Sequence, residues 1–280
     1  MIWQRLGQLL RDRQHRMNMS DLHYWNQRAA TREGDARGAW HSATFNELLT
    51  DRQVEALHRT FDTHLGDITG KNLLEVGCCT GRITRRIAAL GANLVGIDFS
   101  DVAIDAANAS LSADVDSPGA SGSDANRPTG SLRFAVADIT DPPLAFASGT
   151  FDAVLAVGVL VVACRGLDTL EVALGEMARV VRPDGLVVLL EPIHTGPLLG
   201  RVLRATVGEW VLAAGRAGLR FVDRSQMSFV PARMALASWD VPRAVAEPVF
   251  KAGEKALDLW DPKQRRGWGD YTMLTFRAGR

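Results

Sequence analysis

Cysteine is scarce, net charge is absent, and no apolar run is long. Three cysteines, Cys78, Cys79 and Cys164, make no disulfide framework, and the adjacent pair has the wrong spacing for a CxxC metal or redox motif. A reducing cytosol is the compartment this composition suits. Basic and acidic residues balance at 32 each, so no electrostatic pull toward nucleic acid or anionic membrane is expected. The longest apolar run, Ala153 to Cys164, is too short to span a bilayer. The opening "MIWQRLGQLLRDRQHRM" has no apolar stretch of signal-peptide length. No His, Cys and Asp cluster has metal-ligand spacing, and metal-independent chemistry is expected. These absences together point to a cytoplasmic protein without a membrane span.

What is present suffices for a large core: 280 residues, 46% of them hydrophobic. Ile2, Trp3, Leu6, Leu9 and Leu10 share one helical face ahead of a basic stretch. Such a helix packs on its own domain, pairs two subunits as a homodimer, or lies on a membrane surface. Asp21 to His64 is also helical in pattern and carries Tyr24, Trp25, Trp40 and Phe45. Residues 1–68 are therefore read as a helical extension.

From Asn72 short apolar strands alternate with helices. Strands are expected at Asn72–Val76, Asn93–Ile97, Leu132–Ala137, Asp152–Val157 and Leu186–Leu190. Helical faces lie between them at Ile83–Leu90, Val102–Leu111 and Leu170–Val181, and another near Leu198–Ala217. Arg220–Val230 and Asp270–Arg277 read as two last strands separated by a helical insertion, residues 231–266. Residues 112–131, rich in Ser, Gly, Asp and Pro, read as a loop without chemistry. This alternation predicts an α/β fold, a parallel sheet covered on both faces.

Ligands of such sheets sit outside the carboxyl ends of the strands. The first strand ends in Glu75 and a Gly77–Gly81 turn, where bare backbone can approach a ligand. The second ends in Asp98, placed to accept from a ribose diol. The third ends in Asp138. Single solvated strand-end acids are common; three in register with a glycine turn favour a nucleoside bearing a cation, because each buried carboxylate needs a partner. A nicotinamide site wants G-x-G-x-x-G, and this turn is G-x-x-x-G.

"LLEVGCCTGRITRRIAALGANLVGIDFS", "RFAVADIT", "GTFDAVLAVGVL", "ARVVRPDGLVVLLEP" and the closing "GDYTMLTFRA" resemble, in order and spacing, the motifs of class I S-adenosylmethionine-dependent methyltransferases of the small-molecule type. The resemblance covers roughly residues 73–230 and the last strand. It implies a doubly wound, mostly parallel seven-stranded sheet, a Rossmann-like methyltransferase domain over residues 69–280, with the 231–266 insertion as substrate cap. It implies S-adenosyl-L-methionine as cofactor. Glu75, Gly77 and Gly81 would surround its methionine end, Asp98 its ribose, Phe99 and Ile139 its adenine ring. Asp138 would face the adenine amino group, and Gly158 would line the floor.

Two departures stand out. Cys79 occupies the middle glycine of the family's turn and is expected to keep φ negative in a slightly remodelled turn; a reactive thiol at a helix N-terminus is the alternative. Asp184, in "RPDG", stands where the family prefers glycine. "DPPL" (Asp141–Leu144) resembles the Asp-Pro-Pro-Tyr motif of amino-group methyltransferases but precedes the fourth strand rather than ending it. Val161 and Val162 stand where small-molecule relatives often carry histidine.

The resemblance leaves the acceptor open. For a hydroxyl acceptor, His194 is the candidate base, with Glu191 and His41 behind it; a loop histidine capping backbone and a structural strand-end acid are the plainer readings of the first two. The tryptophans Trp25, Trp40, Trp239 and Trp260 make an apolar lid or simply core. An apolar or aromatic small molecule methylated on oxygen is the leading expectation. C- or N-methylation of a natural product or quinone, and a catalytically weak scaffold or partner activator, stay open.

Overall fold

The computed structural model describes residues 21–31, 40–116, 130–193, 203–239, 241–261 and 267–279. The first helices are α1 (Leu22–Thr31) and α2 (Ala43–Leu65). The side chain of Ser42 caps α2 by accepting the Phe45 N–H at 3.2 Å, and Gly66, at φ +72°, ends it.

The sheet then begins with β1 (Asn72–Val76), α3 (Arg82–Ala88), β2 (Asn93–Asp98), α4 (Asp101–Asp116) and β3 (Leu132–Val136). β4 (Phe151–Val157), the short α5 (Leu160–Ala163), α6 (Leu167–Val180) and β5 (Val181–Glu191) follow. The chain closes with α7 (Val207–Arg216), β6 (Leu219–Phe229), α8 (Val230–Leu236), α9 (Arg243–Trp260) and β7 (Gly269–Ala278).

The seven strands lie in the order β3-β2-β1-β4-β5-β7-β6. The first five pair in parallel, and β7 inserts antiparallel between β5 and β6. The chain moves outward from β1 through β2 to β3, then returns to place β4 on the other flank of β1. The crevice opened by that reversal lies at the carboxyl ends of β1 and β4.

Two apolar layers cover the sheet. Leu170, Leu174 and Met177 of α6 and Trp210 of α7 bury one face together with Val154, Val187 and Leu274. Leu57 and Phe61 of α2 and Ile83 and Ile87 of α3 bury the other with Leu73, Leu155 and Val188. The amino-terminal half of α2 belongs to a third cluster, in which Phe45 and Leu49 meet Leu236 of α8 and Phe250 of α9. One helix thus packs on both the sheet and the 231–266 insertion.

Three expectations are corrected. Residues 112–116, read as loop, continue α4. "RPDG" is not a turn before β5 but part of it: the strand starts at Val181 and shifts register opposite Phe151–Ala153. Asp184 carries φ +58° there, which is why glycine suits the position. The helix expected near Leu198–Ala217 is Val207–Arg216; residues 194–202 lie outside the described residues, as does the amphipathic segment of residues 1–10. Among the described residues no helix is long and apolar enough to cross a membrane.

Phe61 is fully buried where α2 meets the sheet. Phe61→Ala is expected to cost ~3–5 kcal/mol of stability, read as a lower urea midpoint, because both the lost transfer energy and the cavity left behind count.

Candidate active site

The turn after β1 is built by glycine and by one hydrogen bond. Gly77 has φ +70°, and a Cβ there would fall 2.2 Å from a methyl carbon of Val159 on the β4–α5 turn. Only glycine lets the two turns approach so closely. The next residue but one, Cys79, has φ +50°. This corrects the expectation of negative φ. Its N–H donates to Asp98 Oδ2 at 2.9 Å, and that bond holds the backbone in the left-handed region, at a cost of ~1 kcal/mol for a residue with a Cβ. The turn keeps its shape and absorbs the strain instead of remodelling.

Burial pushes the Cys79 thiol up to about 12, with the Asp98 carboxylate adding to the effect. Cys78 is pushed up as well, again chiefly by burial. Neither is an activated thiolate, and the reactive-thiol alternative falls with them.

Asp98 accepts the Cys79 N–H on one oxygen and the Ser100 N–H on the other, at 3.0 Å. Burial raises its pKa, opposed by those N–H donors. Asp138 accepts the N–H and the hydroxyl of Thr140 at 2.8 and 2.7 Å through a single oxygen. Both carboxylates, with Gly77, Cys79, Phe99, Ile139 and Gly158, line one open cavity of about 820 Å³, its mouth included. Its far wall is Trp25 on α1. That helix is hooked over the crevice by Asn26, which accepts from Ser100 Oγ at 2.5 Å and donates to Asp101 at 3.0 Å.

Glu75 stands apart. It is 2% exposed, and its carboxyl accepts only Thr84 Oγ1, at 2.5 Å, among the hydrogen bonds of the described residues. Burial lifts its pKa to about 7 against that bond. It lines a second, smaller cavity of about 380 Å³ with Thr80 and Arg82. Gly77, Cys79 and Val157 line both cavities, so the two meet at the turn. Arg82 is held from behind by Thr50 and by Gln53 Oε1 of α2. Gly81 lines neither cavity; its φ of +79° starts α3, and a Cβ would strike Phe134.

The candidate bases separate. His194 lies outside the described residues. His41 is exposed in the turn before α2 and lines neither cavity. Glu191 is fully buried, and its carboxylate accepts the N–H groups of Val159 and Leu160 at 3.1 and 3.0 Å, and that of Val161 at 3.3 Å. It caps α5 and shapes the β4 turn, which corrects its reading as a base. Among the described tryptophans only Trp25 lines the cavity. Trp40 packs edge-on to Phe45 under the Arg233 guanidinium. Trp239 and Trp260 are 70% and 57% exposed. No group of three His, Cys, Asp or Glu among the described residues is placed to hold a metal.

Sequence reasoning passed over Tyr271. Its phenol oxygen lies 3.6 Å from the point a Cβ on Gly158 would occupy. It stands in the closing "GDYTMLTFRA", to which the sequence assigns no site role; an antiparallel strand brings it to the rim from the far end of the chain.

Comparison with known proteins bears on the fold and the domain. A family described as a methyltransferase domain matches residues 74–189. The O-methyltransferase cnsE of Penicillium expansum is 29% identical over 161 residues, 55% of this chain and 50% of that protein. The chain spans about half the length of the curated relatives it matches. Among solved structures, the [4+2]-cyclase SpnF superposes with a TM-score of 0.53 at 20% identity, over 88% of this chain and 86% of that one. Magnesium protoporphyrin IX methyltransferase from Synechocystis PCC 6803, with bound SAH, gives 0.55 at 12% identity over 94% and 98%. At these identities the structures speak for the fold.

Two outcomes are expected from the turn. Cys79→Gly should raise stability or leave it unchanged, while Cys79→Val should lower it by ~1–2 kcal/mol, because a β-branched residue resists positive φ. Glu75 is neutral in both the folded and unfolded chain below its ordinary pKa of 4.5 and ionised in both above about 7. The folded state therefore loses stability progressively between those values as pH rises, by ~3 kcal/mol in all. Glu75→Gln removes that loss: its melting temperature should exceed the unsubstituted protein's at pH 8 and approach it near pH 5.

Proposed function

We propose that this chain, whose residues 74–189 match a family described as a methyltransferase domain, is a class I S-adenosylmethionine-dependent methyltransferase that transfers a methyl group to a hydroxyl oxygen of a small apolar or aromatic metabolite. The observation that supports this best is the convergence of Glu75, Asp98 and Asp138 on two joined cavities at the β1/β4 reversal.

S-adenosylmethionine, when bound, supplies an electrophilic methyl group on a sulfonium. The rest is the work of the chain's own residues. Each oxygen of Asp98 keeps a lone pair beyond its backbone bond, enough to accept both ribose hydroxyls. Phe99 and Ile139 offer flat and apolar contact to adenine, and Asp138 an acceptor for its amino group. In the smaller cavity Glu75 would pair with the ammonium of the amino-acid end and Arg82 with its carboxylate. Trp25, on the wall of that cavity, would help exclude water, which in-line displacement needs more than it needs a base.

The choice of oxygen leans on the relatives described as O-methyltransferases and on the apolar end of β4, where Val162 and Ala163 line the cavity. Transfer to carbon or nitrogen of a quinone or natural product is the nearest neighbour of this reading. A scaffold that binds cofactor without transfer is kept in view by Cys79 in the glycine turn.

Labelled cofactor with a panel of phenols, quinones and glycosides tests the proposal. Label should pass to a phenolic hydroxyl, and Asp98→Asn should raise the cofactor KM about tenfold or more with a smaller change in kcat. Cofactor binding without transfer to any class would favour the scaffold. Transfer untouched by Asp98→Asn would overturn the assignment of the ribose site.

A further inference from the structure

Gly77, Cys79 and Val157 line both cavities, so a ligand that fills the two together must cross them. Gly77 brings no side chain to that neck, and the space a Cβ would take there belongs to Val159. The side chains at the neck are those of Cys79 and Val157. The charges that act on the Cys79 thiol come from both sides of it. Asp98 lines the larger cavity, Arg82 lines the smaller, and Arg28 acts from α1. The smaller cavity also holds an acid that calls for a ligand along this path. Glu75 is 2% exposed; its Oε2 accepts Thr84 Oγ1 at 2.5 Å, and its Oε1 accepts no hydrogen bond among the described residues.

The thiol meets that path as bulk and not as charge. With its pKa pushed up to about 12 it stays S–H at neutral pH, and it offers a sulfonium or an ammonium no counter-charge. What acts is the volume of a Cβ and an Sγ in space that a glycine would leave open. The φ of +50° is one that glycine holds without strain, so a smaller side chain widens the neck and needs no movement of the turn.

Resting on the methyl-transfer reading above, we propose that Cys79 determines how tightly this chain holds the S-adenosyl group: its side chain narrows the neck between the two cavities and weakens ligands that span both, leaving a ligand confined to the larger cavity unaffected. Crowding of this kind is unfavourable because the turn, tied to Asp98 by the Cys79 N–H, cannot move aside. S-adenosylmethionine and its demethylated product share the chain that crosses the neck. Both are therefore held loosely, and the product leaves readily after transfer. A nucleoside without the amino-acid end does not cross the neck and gains nothing when it is widened.

The test is calorimetric titration of the full-length protein with two probes: S-adenosylhomocysteine, which spans both cavities, and adenosine, which fills only the larger. Cys79→Ala removes the Sγ and keeps a Cβ at positive φ. Cys79→Gly removes both. S-adenosylhomocysteine should bind about threefold tighter to Cys79→Ala and about tenfold or more tighter to Cys79→Gly, with adenosine affinity within about twofold throughout. Equal tightening of both probes would trace the effect to relief of backbone strain and overturn the neck. S-adenosylhomocysteine binding unchanged or weaker in both variants would overturn it as well, and would leave the methyl-transfer reading standing. Adenosine binding to none of the three proteins would overturn the larger cavity as the nucleoside's place, and the neck with it. Failure of all three to bind S-adenosylhomocysteine would overturn the methyl-transfer reading itself.

Discussion

The Asp98 carboxylate holds the Cys79 N–H, and the site is assembled around that bond. It ties the end of β2 to the turn after β1 and fixes the backbone of that turn in a conformation its cysteine would not choose. The same carboxylate accepts the Ser100 N–H at the head of α4. Ser100 in turn reaches Asn26 and so places α1 across the mouth. Floor, rim and wall follow from one side chain at the end of one strand. The strand is where it is because Leu94, Val95 and Ile97 are buried on its two faces.

Such a site is costly to the free protein. Burial raises the pKa of both Asp98 and Glu75, and Cys79 is strained. These penalties are small beside the two apolar layers that hold the sheet, and they fall on one rim. Concentrated strain and underpartnered charge at the end of a rigid scaffold mark a surface shaped for a ligand that supplies the missing partners. A cationic amino-acid nucleoside would do so at both cavities at once.

Much of this was legible in the sequence because it is local. β1 is Asn72–Val76 as its apolar run between turn residues dictates, and the neighbouring parallel strands fall within a residue or two of their expected bounds. The three acids were visible because each closes such a run. What depends on contacts across the sheet was not. The φ of Cys79 is set by a carboxylate nineteen residues away. Glu191 looks like a base until the amides of the β4 turn are seen around it. Trp40 has the composition of a lid, yet its partners Phe45 and Arg233 make it core. Tyr271 acquires its place only when β7 runs back between β5 and β6.

The central claim is that a buried acid behind the glycine turn and two acids on its rim form a site for a cationic nucleoside. Calorimetric titration with S-adenosylmethionine at pH 6 and pH 7.5 tests it most directly. A cation that pairs with Glu75 favours the ionised carboxylate, whose pKa in the free protein is about 7. Affinity should therefore rise by roughly eightfold from the lower pH to the higher, with protons released on binding at pH 6. No binding, or binding equally tight at both pH values with no proton release, would contradict the account.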